Sequence, residues 1–217
     1  MPDIDVAHIL MAFVAIVLSL TVHEFAHAFV ADRLGDPTPG RHGRLTLNPM
    51  VLFRAHPFGA LLVPLVGAFN GFLVGWAATP VTPSMARRAG TLRRAEFFIA
   101  VAGPASNVVL AIISVGLFAG ARALLSAAPA VGEPMVQFTQ LLAFSNVFLA
   151  LLNMLPIPPL DGFTVYRSLW PRSPAIAFIE QYGVVLLVVF LMYGGRLFGP
   201  VIGAMARLLG AVAAAVG

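Results

Sequence analysis

From Val6 to Val30 the chain reads VAHILMAFVAIVLSLTVHEFAHAFV, an apolar run long enough to cross a lipid bilayer as a helix. Within this run stand two histidines and a glutamate, His23, Glu24 and His27. Ionisable side chains at this depth are costly unless other groups pair with them or a metal ion binds them. The run therefore predicts a membrane helix with a functional site inside it.

These three residues follow the HExxH pattern. His23 and His27 are four residues apart, so on a helix they share one face and both imidazoles can bind one metal ion. Glu24 projects about 100° away from them, where it can act on a water molecule beside the metal. This layout is typical of a zinc hydrolase. The alternative is a hydrogen-bonded polar cluster that holds membrane helices together.

The composition indicates a polytopic membrane protein. Of the 217 residues 59% are hydrophobic and 10% charged, whereas a soluble domain carries about a quarter charged residues. Cysteine is absent, which excludes disulfides and thiolate metal sites. The net charge of +4 comes with no basic–aromatic patch, so we expect a lipid bilayer and no nucleic acid as partner.

The length suits a single polytopic domain, residues 1–217, with about five transmembrane helices. Apolar runs bounded by Gly, Pro and polar residues mark the candidate spans. We expect spans at 6–34, 95–125, 136–155 and 175–192, while 199–217 is either a fifth span or an interfacial helix.

The region between the first two spans, residues 43–76, predicts β-structure. RLTL at 44–47 alternates as a strand does. The apolar runs 59–66 and 69–76 are each too short to span, and Asn-Gly at 70–71 is a strong hairpin signal. The expected fold class is therefore a membrane all-α core with a small β-sheet and re-entrant hairpin between the first and second spans.

A catalytic zinc usually has three protein ligands and one position open to water, so a third ligand must come from elsewhere in the chain. Asp161 is the best candidate, because its loop follows the third span on the side where the first span ends. His27 lies about seven residues, or roughly 10 Å of helix, before that end. Pro156 breaks the third span, and Gly162 permits a tight turn after the ligand. Alone, Asp161-Gly162 would indicate only a turn.

Three motifs occur in an order that resembles the site-2 protease family of intramembrane zinc metalloproteases, the M50 type. HEFAH at 23–27, AGPASN at 102–107 and NMLPIPPLDG at 153–162 are similar to the family's HExxH, G-P-x-x-N and N-x-x-P-x-P-x-x-D-G. The resemblance covers nearly the whole chain. Residues 77–83 lack the Lys and Asn that many relatives carry there. No PDZ-like or nucleotide-sensing CBS domain is evident, so we expect a minimal core.

The resemblance implies one zinc ion per chain, bound by His23, His27 and Asp161, with Glu24 as the general acid/base. It also implies that Asn107 lines the site as a catalytic residue, hydrogen-bonding to the substrate backbone or a developing oxyanion. Asn107 acting only as a contact between helices is the alternative. The expected substrate is a transmembrane segment of another protein. The residues expected to bind it, after local unwinding, are Asn153, Leu45, Leu47 and Asn70.

Two other functions share part of this pattern. A membrane metal transporter also places His and Asp in its helices, and an inactive relative would act as a protease-like binding protein. The ionisable residues here converge on one depth, which favours a single site over a transport path. Glu24 has no evident use in transport, and its presence argues against an inactive relative.

Arginines predict the orientation, because cytoplasmic loops carry an excess of them. Ten of the thirteen lie on one predicted side: Arg33, Arg41, Arg44, Arg54, Arg87, Arg88, Arg93, Arg94, Arg167 and Arg172. We therefore expect the N-terminus outside and the active site toward the cytoplasm, in the inner membrane of a prokaryotic cell.

Single introduced cysteines will test this orientation cleanly, since the chain has none of its own. A cysteine at Arg87 or Arg167 should resist a membrane-impermeant thiol reagent in intact cells and react after permeabilisation. Labelling of either position from outside would contradict the orientation.

Overall fold

The computed structural model describes residues 5–69 and 75–216, and within these ranges the regular structure is helical. The α-helices are α1 (Val6–Leu34), α2 (Thr38–Arg41), α3 (Pro49–Ala55), α4 (Val63–Phe69), α5 (Leu92–Leu124), α6 (Pro129–Asn153), α7 (Asp161–Leu169), α8 (Pro174–Tyr193) and α9 (Gly195–Val216). A π-helical turn, Pro57–Leu62, precedes α4, and two short 3₁₀ turns, Pro83–Met85 and Arg87–Ala89, precede α5.

Four described helices are long and apolar enough to cross a membrane: α1, α5, α6 and the Arg196–Val216 part of α9. The apolar stretch of α8, Pro174–Phe190, is shorter, as is the stretch Pro57–Phe69. These lengths and hydropathies are those of a multi-pass membrane protein.

α1 is capped at both ends. The Asp5 carboxylate accepts a hydrogen bond from the backbone N–H of His8 at 3.0 Å, which satisfies a free donor of the first turn. Gly35 ends the helix at a φ of 100°, a conformation that glycine adopts without steric penalty. The HExxH motif thus lies within 29 residues of unbroken helix, which keeps His23 and His27 on one face.

Small residues allow neighbouring helices to pack closely on α1. Four of its alanines are at most 3% exposed: Ala12, Ala15, Ala28 and Ala31. α5 and α6 pack against α1 and against each other, α7 packs on α5, and α9 packs on α5 and α6. In lipid, close approach of backbones is a main source of helix association. The central unit of α1, α5 and α6 holds the residues of the HExxH motif.

The predicted β-sheet and re-entrant hairpin at 43–76 are wrong for the described part of this region. Residues 43–48 form turns and irregular backbone, and the described residues that follow, up to 69, are largely helical. A helix start signal stands directly after RLTL, at Asn48 and Pro49. The Asn48 side chain accepts from the N–H of Met50 at 3.0 Å, and Pro49 occupies the first turn, where a proline is favoured.

The second error, at 59–69, comes from the shortness of the apolar runs. Periodicity cannot distinguish a buried strand from a buried helix in such a run. Here Pro57 begins the π-helical turn and Pro64 lies in the first turn of α4, where neither needs to donate an N–H. The hairpin turn expected at Asn70-Gly71 lies outside the described residues.

Residues 75–82, which we call the strap, form neither helix nor strand and lie beside α1. The N–H of Trp76 donates to the carbonyl of Gly59 at 2.8 Å, and a Cβ on Gly59 would overlap the Trp76 backbone. At the other end, the N–H of Thr82 donates to the carboxylate of Asp36, which is fully buried just after α1. The strap is therefore fixed at one end to the π-helical turn and at the other to the residues just after α1.

Candidate metal centre

The side chains of His23, His27 and Asp161 meet at one point in the bundle. The two Nε2 atoms are 3.0 Å apart, and Asp161 Oδ2 lies 3.1 Å from that of His23 and 3.2 Å from that of His27. In the described part of the chain this is the one group of three His, Asp or Glu side chains close enough to hold a metal ion. α1 and the start of α7 thus bring together residues that are more than 130 positions apart in sequence.

The proton positions on both imidazoles follow from their outer partners. His23 Nδ1 lies 2.6 Å from Asn107 Oδ1, and His27 Nδ1 lies 2.7 Å from the carbonyl oxygen of Ile99. A carbonyl oxygen can only accept, so both Nδ1 atoms carry the proton and donate it. In the neutral rings, both Nε2 atoms then present lone pairs toward Asp161.

This donor set fits a zinc ion. Tetrahedral coordination with bonds of 2.0–2.1 Å places ligand atoms about 3.3 Å apart, close to the observed 3.0, 3.1 and 3.2 Å. Asp161 Oδ2 is buried and accepts no hydrogen bond among the described residues. Three lone-pair atoms facing each other repel unless a cation lies between them. Two imidazoles and a carboxylate are also ligands that zinc accepts in catalytic sites.

Asp161 is suited to the charged state that a ligand needs. Burial by itself raises the pKa of this carboxyl group, but the His27 and His23 imidazoles, when protonated, lower it by more through their charge and hydrogen bonds, which leaves the pKa well below its usual range. The carboxylate is therefore ionised at neutral pH. The next residue, Gly162, lies so close to the backbone of Met154 and Leu155 that a Cβ there would overlap it.

Asn107 belongs to a buried polar network behind His23. Its Nδ2 donates to Asn146 Oδ1 at 2.8 Å and to the carbonyl of Ser19 at 3.3 Å, and Asn146 Nδ2 donates to Ser19 Oγ at 2.8 Å. Asn107, Asn146 and Ser19 are all fully buried. The network joins α1, α5 and α6 and leaves Asn107 Oδ1 for His23. The predicted contact of Asn107 with substrate stays a prediction.

α5 also approaches the metal centre with its backbone. A Cβ on Gly103 would overlap Nε2 of His27 and would lie 2.6 Å from Nε2 of His23. Glycine is therefore required where α5 passes the two imidazoles. The glycine of the AGPASN motif thus has a direct steric function at the site, in addition to the hydrogen bond that Asn107 makes.

Glu24 lies beside the ligands and lines a cavity of about 210 Å³ that His23, His27 and Asp161 also line. Its side chain is 5% exposed, and its Oε2 accepts a hydrogen bond from Thr79 Oγ1 at 2.7 Å. The strap forms one wall of this cavity. A carboxylate next to a metal centre, in a space that holds several water molecules, can accept and return a proton.

The residues expected to bind substrate are placed differently. Asn153, at the end of α6, lines the cavity and donates to the carbonyl of Leu149 at 3.1 Å. Leu45 and Leu47 have exposed side chains and are not among the residues that line the cavity. Asn70 lies outside the described residues. For all four, a contact with substrate stays a prediction.

Sequence reasoning missed Ser19, Asn146 and Thr79. Ser19 lies four residues before His23 and Asn146 seven residues before Asn153, so each shares a helix face with a residue that the sequence singled out. A polar residue on that face of an apolar helix was the available signal. Thr79 had no such signal, since its strap has no regular period.

Known proteins are similar to this chain over most of its length. The model of "Peptidase family M50" matches residues 121–194. "Putative zinc metalloprotease YwhC" of Bacillus subtilis (strain 168) is 36% identical over 182 residues, which are 82% of this chain and 78% of that protein.

Proteins named "Putative zinc metalloprotease Rip2" give the same result. The one from Mycolicibacterium smegmatis is 37% identical over 179 residues, covering 81% of this chain and 64% of its own. The one from Mycobacterium tuberculosis (strain H37Rv) is 37% identical over 191 residues, covering 85% and 68%. No solved structure matches the chain. Since more than a third of the residues are identical across most of both chains, and the HExxH histidines and Asp161 of this chain converge on one metal centre, this protein belongs to the site-2 protease family, peptidase family M50.

Proposed function

We propose that this metalloprotease is an intramembrane zinc endopeptidase that cleaves a peptide bond in or near the transmembrane segment of another membrane protein. The observation that carries the proposal is the position of Glu24 and the three ligands around one cavity within an apolar helix bundle. Glu24 precedes the end of α1 at Leu34 by ten residues, or about 15 Å of helix. A site at that depth can reach peptide bonds that a soluble protease cannot.

One zinc ion per chain would be held by His23, His27 and Asp161, since their three lone-pair atoms face one another. When bound, zinc supplies a Lewis acid that makes water more acidic and polarises a carbonyl group. The protein supplies the orientation. Asn107 and the Ile99 carbonyl hold the imidazole tautomers, as partners of metal-binding histidines commonly do.

Glu24 would move the proton. It accepts a proton from the attacking water as the water oxygen bonds to the carbonyl carbon of the substrate. It then donates that proton to the leaving nitrogen as the C–N bond breaks, which yields a carboxyl and an amine terminus. Because Glu24 is almost fully enclosed and next to the ligands, the carboxylate is already in place when substrate arrives.

Backbone hydrogen bonds limit the form of the substrate. A helix keeps its carbonyl groups in hydrogen bonds, so a transmembrane segment must unwind locally before one of them can be attacked. Of the three expected substrate residues that the structure describes, Asn153 is the one that lines the cavity, and we propose that it contacts the unwound segment.

The arginine distribution supports a site that faces the cytoplasm across the inner membrane of a prokaryotic cell. α7 and the start of α5 meet beside the site, where Arg167 lies 3.3 Å from Glu96. The sequence predicts α7 and the residues just before Glu96 on the cytoplasmic side. Water would therefore reach Glu24 from that side.

Replacing Glu24 tests the function. Glu24→Gln should keep zinc, because Glu24 is not among the three converging ligands, and should lose cleavage of a membrane-embedded substrate by at least ~10². Glu133→Gln is the matched control, because Glu133 is exposed on α6 and outside the cavity. Cleavage and zinc content are measured on purified protein in lipid vesicles. Normal cleavage by Glu24→Gln would overturn the assigned role, and movement of metal without cleavage would indicate a transporter.

Replacing Asp161 tests the metal centre. Asp161→Ala removes one of three ligand atoms, and zinc affinity should fall by more than the ~10- to 100-fold that loss of a supporting hydrogen bond costs. Glu133→Ala, which removes an exposed carboxylate, should bind zinc normally. Elemental analysis and a competitive zinc titration provide the measurements. Unchanged affinity in Asp161→Ala would exclude it as a ligand.

Replacing Asn107 separates its two possible roles. Asn107→Ala removes the acceptor for His23 Nδ1, so zinc affinity should fall ~10- to 100-fold. Ser114→Ala is the control on the same helix: its hydroxyl is fully buried and donates only to the carbonyl of Leu110. If Asn107→Ala lowers the melting temperature but binds zinc with normal affinity, Asn107 only joins helices.

A further inference from the structure

The contact between Thr79 and Glu24 links the strap to the acid/base residue. Thr79 Oγ1 lies 2.7 Å from Glu24 Oε2 and 3.1 Å from the Glu24 backbone carbonyl. We infer that Thr79 is a positioning residue, which holds the Glu24 carboxylate in the rotamer that faces the metal centre. The inference rests on the proposed protease function and assigns a role to a strap that the HExxH motif does not include.

The direction of this hydrogen bond is fixed by chemistry. A threonine hydroxyl has one proton, and both of its neighbours at this site are acceptors. The carboxylate oxygen is nearer and charged, so it receives the proton in preference to the carbonyl. The bond thus acts directly on the side chain of Glu24, and the backbone carbonyl gains at most a weak polar contact.

The bond engages one carboxylate oxygen and leaves the other for catalysis. No hydrogen bond among the described residues uses Glu24 Oε1. Oε1 also keeps some accessible surface: it has no such partner, and it is not one of the fully enclosed polar atoms that lack a partner. Glu24 lines the cavity, so Oε1 is the oxygen available to water and substrate there. Thr79 can keep donating to Oε2 while Oε1 gains and releases a proton.

Thr79 is itself held in place, which a positioning residue requires. Pro80 follows it and restricts its backbone to extended conformations. The carbonyl of Ala78 accepts a hydrogen bond from His56 Nε2 at 2.8 Å, and Thr82 is tied to Asp36 on the other side. The hydroxyl is therefore presented to Glu24 by a backbone fixed on both sides, at little entropic cost when the bond forms.

Substitutions at Thr79 provide the test in a vesicle-embedded enzyme with a transmembrane substrate. Thr79→Val keeps the shape and removes the hydroxyl, so kcat should fall ~10- to 100-fold, the range for one hydrogen bond to a charged group. KM and zinc content should stay at wild-type values. A loss confined to kcat, with an equal loss of kcat/KM, is expected when only the reacting state is affected.

Three further variants make the result decisive. Thr79→Ser restores the hydroxyl and should restore kcat, whereas Thr79→Ala should be as slow as Thr79→Val. If Thr79→Val does not fold, the comparison of Thr79→Ser with Thr79→Ala still tests the role of the hydroxyl. Thr21→Val is the matched control, since Thr21 is buried on α1, donates only to the Val17 carbonyl and does not line the cavity.

The outcomes separate this inference from the proposed function. If wild-type protein cleaves no membrane substrate, the proposed function fails. If wild type cleaves and Thr79→Ala equals Thr79→Ser, Thr79 has no positioning role. A rise in KM alone would make the strap a substrate contact, and a loss of zinc or of folded protein in Thr79→Ala would make Thr79 structural; both overturn the inference.

Discussion

The site depends on three lone-pair atoms that face each other inside an apolar helix bundle. His23 Nε2, His27 Nε2 and Asp161 Oδ2 lie 3.0–3.2 Å apart, and charge repulsion at such distances is strong where the surroundings have a low dielectric constant. A cation relieves that repulsion, and the arrangement is costly without one. Folding therefore has to overcome the repulsion between these three atoms. A bound metal ion would remove that repulsion and so stabilise the folded state.

α5 contributes more to this arrangement than its lack of ligands suggests. Its Ile99 carbonyl and Asn107 side chain each accept the Nδ1 proton of one histidine, which turns both lone pairs toward Asp161. Between these two contacts Gly103 passes so close to both rings that no Cβ fits. The same helix thus fixes tautomer, ring orientation and position. This explains physically why a Gly-Pro-x-x-Asn pattern accompanies HExxH in this chain.

The sequence predicts the metal centre better than it predicts the region before α5. HExxH on an apolar helix predicts two of the three converging side chains and the proposed acid/base residue from helical period, and Asp161 is predicted from the side on which its loop lies. By contrast, the runs in 43–69 are short and apolar, and their helices depend on local caps such as Asn48. The Thr79–Glu24 bond joins residues 55 positions apart through irregular backbone, and no local pattern encodes such a contact.

Burial divides the site into a closed and an open side. Behind His23, the side chains of Ser19, Asn107 and Asn146 are fully buried and bonded to one another, so the structure is closed on that side. Asp161, by contrast, has a side chain that is 22% exposed, against 4% and 9% for the two histidines. The cavity lies on this open side, between the strap and the loop before α7. In the proposed function, a substrate segment would reach Glu24 along the strap, and the residues that fix the strap would also set its approach.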